Sequence, residues 1–358
     1  MDGIDVALVE TDGQNQVEFG PTMAVEFADD LRKKLERAMV DAVQIEDRSD
    51  RPAGLAELET ALTDLHADAV RQFLQHNGLQ PEDVHCLGFH GQTVLHRPDE
   101  GLTVQLGDGQ RLANATGIDV VYDMRAEDMI AGGQGAPLVP VFHQTLARQK
   151  KPVLPACFVN IGGISNITYV DDDALVAFDT GPGNALIDQW VQQKGGIPYD
   201  QGGRIASEGG IVTPIVDEYL AAAFFKKGGC KSLDRADFPP LQPDRAELSD
   251  GARTLARITA ASIIKAIDHL PAAPATWILC GGGRLNGVIV SDMKDLASQT
   301  DADVIVSDDL GLSGDMIEAQ AFAYLAVRSQ LGLPLTYPTT TGCKQPTSGG
   351  VLARAEPT

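Results

Sequence analysis

The 358-residue sequence is poor in positive charge: 28 Lys and Arg stand against 50 Asp and Glu, a formal net charge of −22. Phosphate backbones and anionic lipid surfaces are held by clustered Lys and Arg, so this balance argues against nucleic acid and against a membrane as partners. Long apolar runs are missing too. Nothing approaches the ~20 consecutive apolar residues of a membrane span, and no basic segment followed by an apolar stretch opens the chain. A cytoplasmic location is therefore expected. The five cysteines (Cys86, Cys157, Cys230, Cys280, Cys343) include no Cys-x-x-Cys pair. They form neither a disulfide framework nor a zinc site and read as buried reduced thiols. Also lacking are a Gly-x4-Gly-Lys-Ser/Thr loop and a Gly-x-Gly-x-x-Gly turn opening a helix after a first strand. Their absence disfavours the common mononucleotide and dinucleotide folds.

What is present is an ordinary globular composition, 43% hydrophobic and 22% charged, in a chain long enough for two cores. The expected boundaries are 1–150 for a first domain and 151–358 for a second, with the C-terminal segment free to return to the first. Met1 to Glu10 alternates into a strand, and Asp12-Gly13 turns it toward a second strand near Val17 to Phe27. Helical spacing of Leu, Ala and Val marks Asp29 to Asp41 and Gly54 to His76. Val84 to His90 reads as a core strand, Thr103 to Gly107 and Asp119 to Met124 as further strands, and Ala131 to Pro137 as a flexible loop. A helix from Leu138 to Gln149 leads to the junction. Beyond it, Ala156 to Asn160, Ile167 to Val170 and Ala174 to Phe178 make a β-meander. Helices are expected around Val212 to Phe225, from Leu255 to Leu270 and from Asp315 to Gln330, and strands at Trp277 to Cys280 and Val304 to Val306. Met124, Phe142 and Trp190 read as core.

The segment with most chemistry is Phe178-Asp-Thr-Gly-Pro-Gly-Asn184. An apolar run ends at Phe178, an acid follows, Gly181, Pro182 and Gly183 break regular structure, and Asn184 suits the N-cap of the next helix. Ligands bind at the carboxyl ends of strands in open α/β sheets, which places Asp179 where it could touch one. A turn-starting or capping role explains the same acid as well. Glycine turns also follow the strands at Gly162-Gly163 and at Gly281 to Gly283. Backbone amides free of Cβ crowding approach phosphate closely, and three such turns in one half suit a nucleotide.

Taken in order, His90-Gly-Gln-Thr93, Gly132-Gly-Gln-Gly-Ala-Pro-Leu138, Asn160-Ile-Gly-Gly-Ile-Ser-Asn166, Phe178-Asp-Thr-Gly-Pro-Gly-Asn184 and Cys280-Gly-Gly-Gly283 resemble the anhydro-N-acetylmuramic acid kinases. The likeness runs from Met1 to near Gly350. It implies an α/β fold of two ribonuclease-H-like domains, the actin-like ATPase superfold, with an interdomain cleft. It further implies hydrolytic opening of 1,6-anhydro-N-acetylmuramic acid with phosphorylation of O6 by ATP, in cell-wall recycling. Asp179 is then the base that activates water, and Mg2+ accompanies ATP. Thr93, Arg125 and Glu318 would bind the sugar, with His90, Gln92 and Asn184 positioning the contacting groups. Asp2, Gly3, Asp5, Gly162, Gly163, Gly181, Gly183, Gly281, Gly282 and Gly283 would bind ATP, and the metal ligands stay unassigned. The implied partners are small molecules, with a homodimer as the assembly to test. Other readings stay open: an ion pair of Arg125 with Asp123 or Asp128, a kinase of another amino or acidic sugar, and a non-catalytic actin-like or chaperone-like nucleotide binder.

One departure from the family stands at the start. The family's first phosphate turn reads Gly-Thr-Ser-Met-Asp-Gly after an initial strand, and this sequence begins at its Met. The likeness therefore implies that the first strand of the first domain is missing, with lowered stability and weaker ATP affinity as the expected result.

Overall fold

Ala156–Ile161 is a continuous apolar run, buried at every residue but Asn160, as a strand covered on both faces must be. It forms the middle of the largest sheet in a computed structural model that describes residues 3–229, 233 and 238–356. The chain divides into two compact units, Met1–Gln149 with Met316–Thr358, and Lys150–Asp315.

In the first unit, β1 (Gly3–Thr11) and β2 (Val17–Glu26) pair as an antiparallel hairpin. Asp12 closes its turn by accepting the N–H groups of Gln14, Asn15 and Gln16 at 2.8, 2.8 and 2.9 Å. There follow α1 (Asp29–Asp41), α2 (Leu55–Asn77), β3 (Leu87–Gly88), β4 (Gln92–Arg97), β5 (Leu102–Leu106), α3 (Gly109–Thr116), β6 (Val120–Tyr122), α4 (Ala126–Ile130) and α5 (Pro140–Lys150). Asp29 and Asp30 favour the first turn of α1, and Asp108 caps α3 by accepting from the Arg111 N–H.

The second unit contains β7 (Ala156–Ile161), β8 (Ile164–Val170), β9 (Leu175–Pro182), α6 (Ala185–Gly195), α7 (Thr213–Leu220), α8 (Leu248–Ile264), β10 (Thr276–Cys280), α9 (Gly287–Ala297) and β11 (Asp303–Val306). The chain then returns to the first unit with α10 (Ile317–Gln330) and β12 (Val351–Ala353).

The five-stranded sheet of the second unit has the order β11-β10-β7-β8-β9. β7, β8 and β9 run antiparallel in sequence, while β10 and β11 join parallel to β7. The carboxyl ends of β7, β9, β10 and β11 consequently share one edge. Trp190, Tyr169 and Trp277 anchor the core beneath it. The first unit has smaller ladders, β1-β2, β4-β5 and β12-β6-β3. Its helix α10 packs against β1, β3 and β6.

Several expectations need correcting. Only Leu87–Gly88 of the segment from Val84 to His90 joins a ladder, because β6 offers it a short partner on one edge alone. The helix expected from Leu255 starts at Leu248 and tightens into a 3-10 turn over Lys265–His269. No helix among the described residues is long and apolar enough to cross a membrane. Cys86, Cys157, Cys280 and Cys343 are free thiols, the last three buried; Cys230 lies outside the described residues.

Candidate functional site

In the second unit the three glycine turns meet. The Gly183 N–H donates to Gly163 O at 3.0 Å and the Asn184 N–H to Gly162 O at 2.7 Å, which zips the turn after β7 to the end of β9. A Cβ on Gly183 would sit 2.2 Å from Gly162 O, so only glycine permits this approach. A Cβ on Gly281, whose φ is 70°, would lie 2.3 Å from Asn160 Oδ1 and 2.9 Å from Ile161 O. Arg284 fixes that third turn: its guanidinium donates to Gly281 O at 3.1 Å and is clasped by Asp308 at 2.6 Å and Asp315 at 2.8 Å. The two carboxylates hold the Arg284 charge far above its ordinary pKa.

Asp179 stands on the same edge, but not at a strand end. β9 continues through Gly181 and Pro182, which pair with Ser165 and Ile164, so these residues do not break the strand as the sequence suggests. Between Asp179, opposite Asn166, and Gly181, opposite Ser165, Thr180 is an extra residue. This bulge lets a Gly-Pro segment stay in the ladder while turning the acid's neighbourhood, a device common beside active sites. The backbone N–H of Leu233 donates to Asp179 Oδ2 at 2.8 Å. Burial nevertheless pushes the Asp179 pKa up to about 6, outweighing that hydrogen bond. Asn184 occupies the N-cap position of α6 without capping it; its side chain donates to Ile161 O at 3.2 Å.

In the first unit, Arg125 precedes α4 and donates to Gly135 O and to His90 Nε2, both at 2.8 Å. A guanidinium has no acceptor, so His90 Nε2 accepts and its proton resides on Nδ1. Burial and the Arg125 charge push the His90 pKa down to about 3, which keeps the ring neutral. Burial lowers the Arg125 pKa, and Glu318, on the first turn of α10, opposes that shift. The buried Arg125 Nε has no hydrogen-bond partner among the described residues. Neither acid considered from the sequence bonds to Arg125. Asp123 is paired with Arg48 at 2.5 Å, and Asp128 accepts the Gly135 N–H and the Thr341 hydroxyl, both at 2.6 Å.

Those last contacts also correct the loop from Ala131 to Pro137. Asp128 holds Gly135, Gln134 N–H donates to Thr341 O, and Lys344 N–H donates to Ala131 O, so the loop is pinned. Thr93 on β4 accepts from Gln105 Nε2 at 3.2 Å, and Gln92 Nε2 donates to Thr93 O at the same distance. Gly3 and Asp5 lie within strand β1, not on a turn, and Asp2 is outside the described residues. Leu233 was not singled out from the sequence, and Asp128 only as an alternative ion-pair partner of Arg125. Leu233 acts through its backbone, which leaves no side-chain signal, whereas an acid just before the glycine-rich 131–135 segment was a readable cue.

The family model for anhydro-N-acetylmuramic acid kinase matches residues 1–355. Relatives with that name from Rhizobium johnstonii and Brucella abortus are 54% and 53% identical over 355 and 357 residues. Each alignment covers 99% of this chain, with 95% and 96% of the respective relative. Among solved structures, the activator of 2-hydroxyisocaproyl-CoA dehydratase from Clostridium difficile aligns with a TM-score of 0.41 at 10% identity, covering 90% of this chain and 94% of that one. That likeness is too loose to argue from. The sequence match spans both units and every motif described above, and the chain belongs to the anhydro-N-acetylmuramic acid kinase family.

Proposed function

We propose that the protein opens the ring of 1,6-anhydro-N-acetylmuramic acid with water and transfers the γ-phosphoryl group of ATP to O6, giving N-acetylmuramic acid 6-phosphate and ADP. The observation carrying this reading is Asp179, a carboxylate made more basic by burial and set among three glycine turns at one sheet edge. Asp179 takes a proton from water as its oxygen bonds to the anomeric carbon. The C1–O6 bond breaks, O6 takes the phosphoryl group, and ADP leaves with the electron pair of the broken P–O bond. General-base assistance of this kind is worth ~10²–10⁴ in rate. No separate acid is needed at O6, because phosphoryl transfer quenches its charge.

The glycine turns at 162–163 and 281–283, with the Gly181–Gly183 end of β9, are assigned to the phosphates of ATP, the Gly183 N–H itself being held by Gly163 O. Arg125, whose buried Nε lacks a partner, is assigned the lactyl carboxylate, with Thr93 and Glu318 on sugar hydroxyls. His90, Gln92 and Asn184 position these contacts, while Gly3 and Asp5 are assigned to the phosphates on resemblance alone. Among the described residues no group of three His, Cys, Asp or Glu side chains is placed to hold a metal ion. Magnesium enters the proposal only with the phosphates of ATP. We also read β11-β10-β7-β8-β9 as a ribonuclease-H-like order and place the enzyme in the cytoplasm.

Turnover of the anhydro sugar with ATP in H2-18-O tests the reaction. The expected product carries one labelled oxygen at C1 and none in the phosphoryl group. Label in phosphate, or turnover of ordinary N-acetylmuramic acid alone, would overturn the ring-opening assignment.

A further inference from the structure

The hairpin of β4 and β5 has one apolar and one polar face. Leu95, Leu102, Val104 and Leu106 turn into the core of the first unit. Thr93 stands opposite Gln105, and His96 opposite Thr103. Strict alternation along a strand would put Thr93 and His96, three residues apart, on opposite faces. The register shift between Thr93 and Leu95 makes Val94 an extra residue, and this bulge brings both to one side. Four polar side chains consequently line up in a single hydrogen-bond chain.

The direction of every bond in that chain follows from one end. His96 Nδ1 lies 3.0 Å from Thr103 Oγ1. The ring also bonds to the Gln134 backbone in the sense that favours its charged form, so the Gln134 carbonyl accepts from Nε2–H. The Gln134 N–H already donates to Thr341 O. Partial burial and the charge of Arg125 push the His96 pKa down, which leaves the ring neutral and Nδ1 an acceptor. Thr103 therefore donates to Nδ1 in preference to Leu95 O at 3.4 Å, and its oxygen accepts from Gln105 Nε2 at 2.8 Å. That fixes which end of the Gln105 amide faces the threonines. The second hydrogen on Nε2 points to Thr93 Oγ1 at 3.2 Å. Thr93 is thus an acceptor within the hairpin, and its own hydroxyl hydrogen has no acceptor among the described residues.

The chain joins two places assigned to the sugar. Thr93 is one end of it. At the other end, Gln134 precedes Gly135, whose carbonyl holds Arg125.

We propose that Gln105 is a positioning residue that acts through Thr93. By donating to Thr93 Oγ1 it turns the Thr93 hydroxyl hydrogen away from the hairpin, so that Thr93 meets the ligand as a donor and selects a sugar oxygen able to accept. Thr103 and His96 hold the Gln105 amide in that orientation. This role deepens the sugar-binding reading of Thr93 and rests on it.

Gln105→Glu reverses the polarity, because a carboxylate only accepts and both threonines must then donate to it. Nitrogen NMR of the histidine rings in the sugar-free protein, with the His96 signal identified by its loss in His96→Asn, reads the far end of the chain. The expected result is a proton on Nε2 and none on Nδ1 in the parent, and a protonated Nδ1 in Gln105→Glu. A protonated Nδ1 in the parent, or a bare one in the variant, would overturn the chain. Steady-state kinetics read the near end. Gln105→Glu and Thr93→Val should each raise the KM for the anhydro sugar ~10-fold, with kcat and the KM for ATP little changed. The double variant should also stay near ~10-fold, because no Thr93 hydroxyl is left to orient. A rise near ~100-fold in the double variant, or a parent-like KM in Gln105→Glu, would reject the positioning role. Should Gln105→Glu fail to fold, Gln105→Met takes its place; its expected ~3-fold rise must disappear beside Thr93→Val, and its persistence there rejects the role. A parent enzyme that did not turn over the anhydro sugar would reject the reaction instead, and the position of the His96 proton would still decide the direction of the chain.

Discussion

Asp179 is kept in the less comfortable of its two charge states at neutral pH. Its folded pKa of about 6 lies above the ordinary 3.8, so the ionised form is penalised in the folded protein. That penalty is absent below the unfolded pKa and complete above the folded one. Asp179→Asn retains an acceptor for the Leu233 N–H while removing the charge. It should lower turnover by ~10² or more and raise the thermal midpoint at pH 7.5, an effect of up to ~3 kcal/mol. The gain in midpoint should shrink as the pH falls toward 4; a variant no more stable than the parent at pH 7.5 would remove the strain from this account. In the parent enzyme kcat/KM should rise with pH through about 6 and then level, because the base must be ionised. A flat profile across that range would exclude Asp179 as the base. For Arg125, substitution by Lys keeps the charge and loses the planar fork that serves Gly135 O and His90 and is proposed to take a carboxylate. The expected result is a rise of ~10-fold or more in the KM for the sugar, worth ~1.4 kcal/mol, with the KM for ATP little changed.

At the scale of elements, the turns around Asp179 work as one assembly. Gly183→Ala would place a Cβ 2.2 Å from Gly162 O and push the end of β9 away from the turn after β7. A stability loss of ~1–3 kcal/mol is expected, with a raised KM for ATP. Gly282 is the comparison: its Cβ would meet nothing nearer than Asn184 Nδ2 at 4.0 Å, so Gly282→Ala should stay within ~0.5 kcal/mol. Similar melting of the two variants would show that the close approach is not what fixes these turns. The meander, the helix α1 and the glycine turns were legible because each rests on local spacing: apolar runs, helical periodicity, glycine after a strand. What could not be read was set by partners distant in sequence. Gly181 and Pro182 look like strand breakers until the bulge at Thr180 lets them pair with β8. Asn184 looks like a cap until Ile161 O takes its amide, and Ala131 to Gly135 looks mobile until Asp128 and Thr341 bind it. His90 and Arg125, 35 residues apart, were selected separately, but only the fold shows that one holds the other.

For the molecule as a whole, the two units differ in how the chain builds them. Lys150–Asp315 is one uninterrupted stretch holding all five strands of its sheet. The core cluster with Trp190, Tyr169 and Trp277 fully buried is drawn from that stretch alone. A fragment of ~150 residues buries ~70% of its unfolded surface, enough for independent folding. Residues 1–149 are in a different position, because α10, which packs against β1, β3 and β6, comes from after Asp315. Without α10, His90 would lose its edge-to-face contact with Phe322, and Gly88 the Phe322 backbone that packs against it. A fragment spanning 150–315 should therefore melt in one cooperative transition with a native near-ultraviolet signal from Trp190 and Trp277, while a fragment spanning 1–149 should not. Adding a separate 316–358 peptide to the second fragment should restore part of its ordered signal. Cooperative folding of 1–149 by itself would show that α10 is a covering rather than a structural member of that unit.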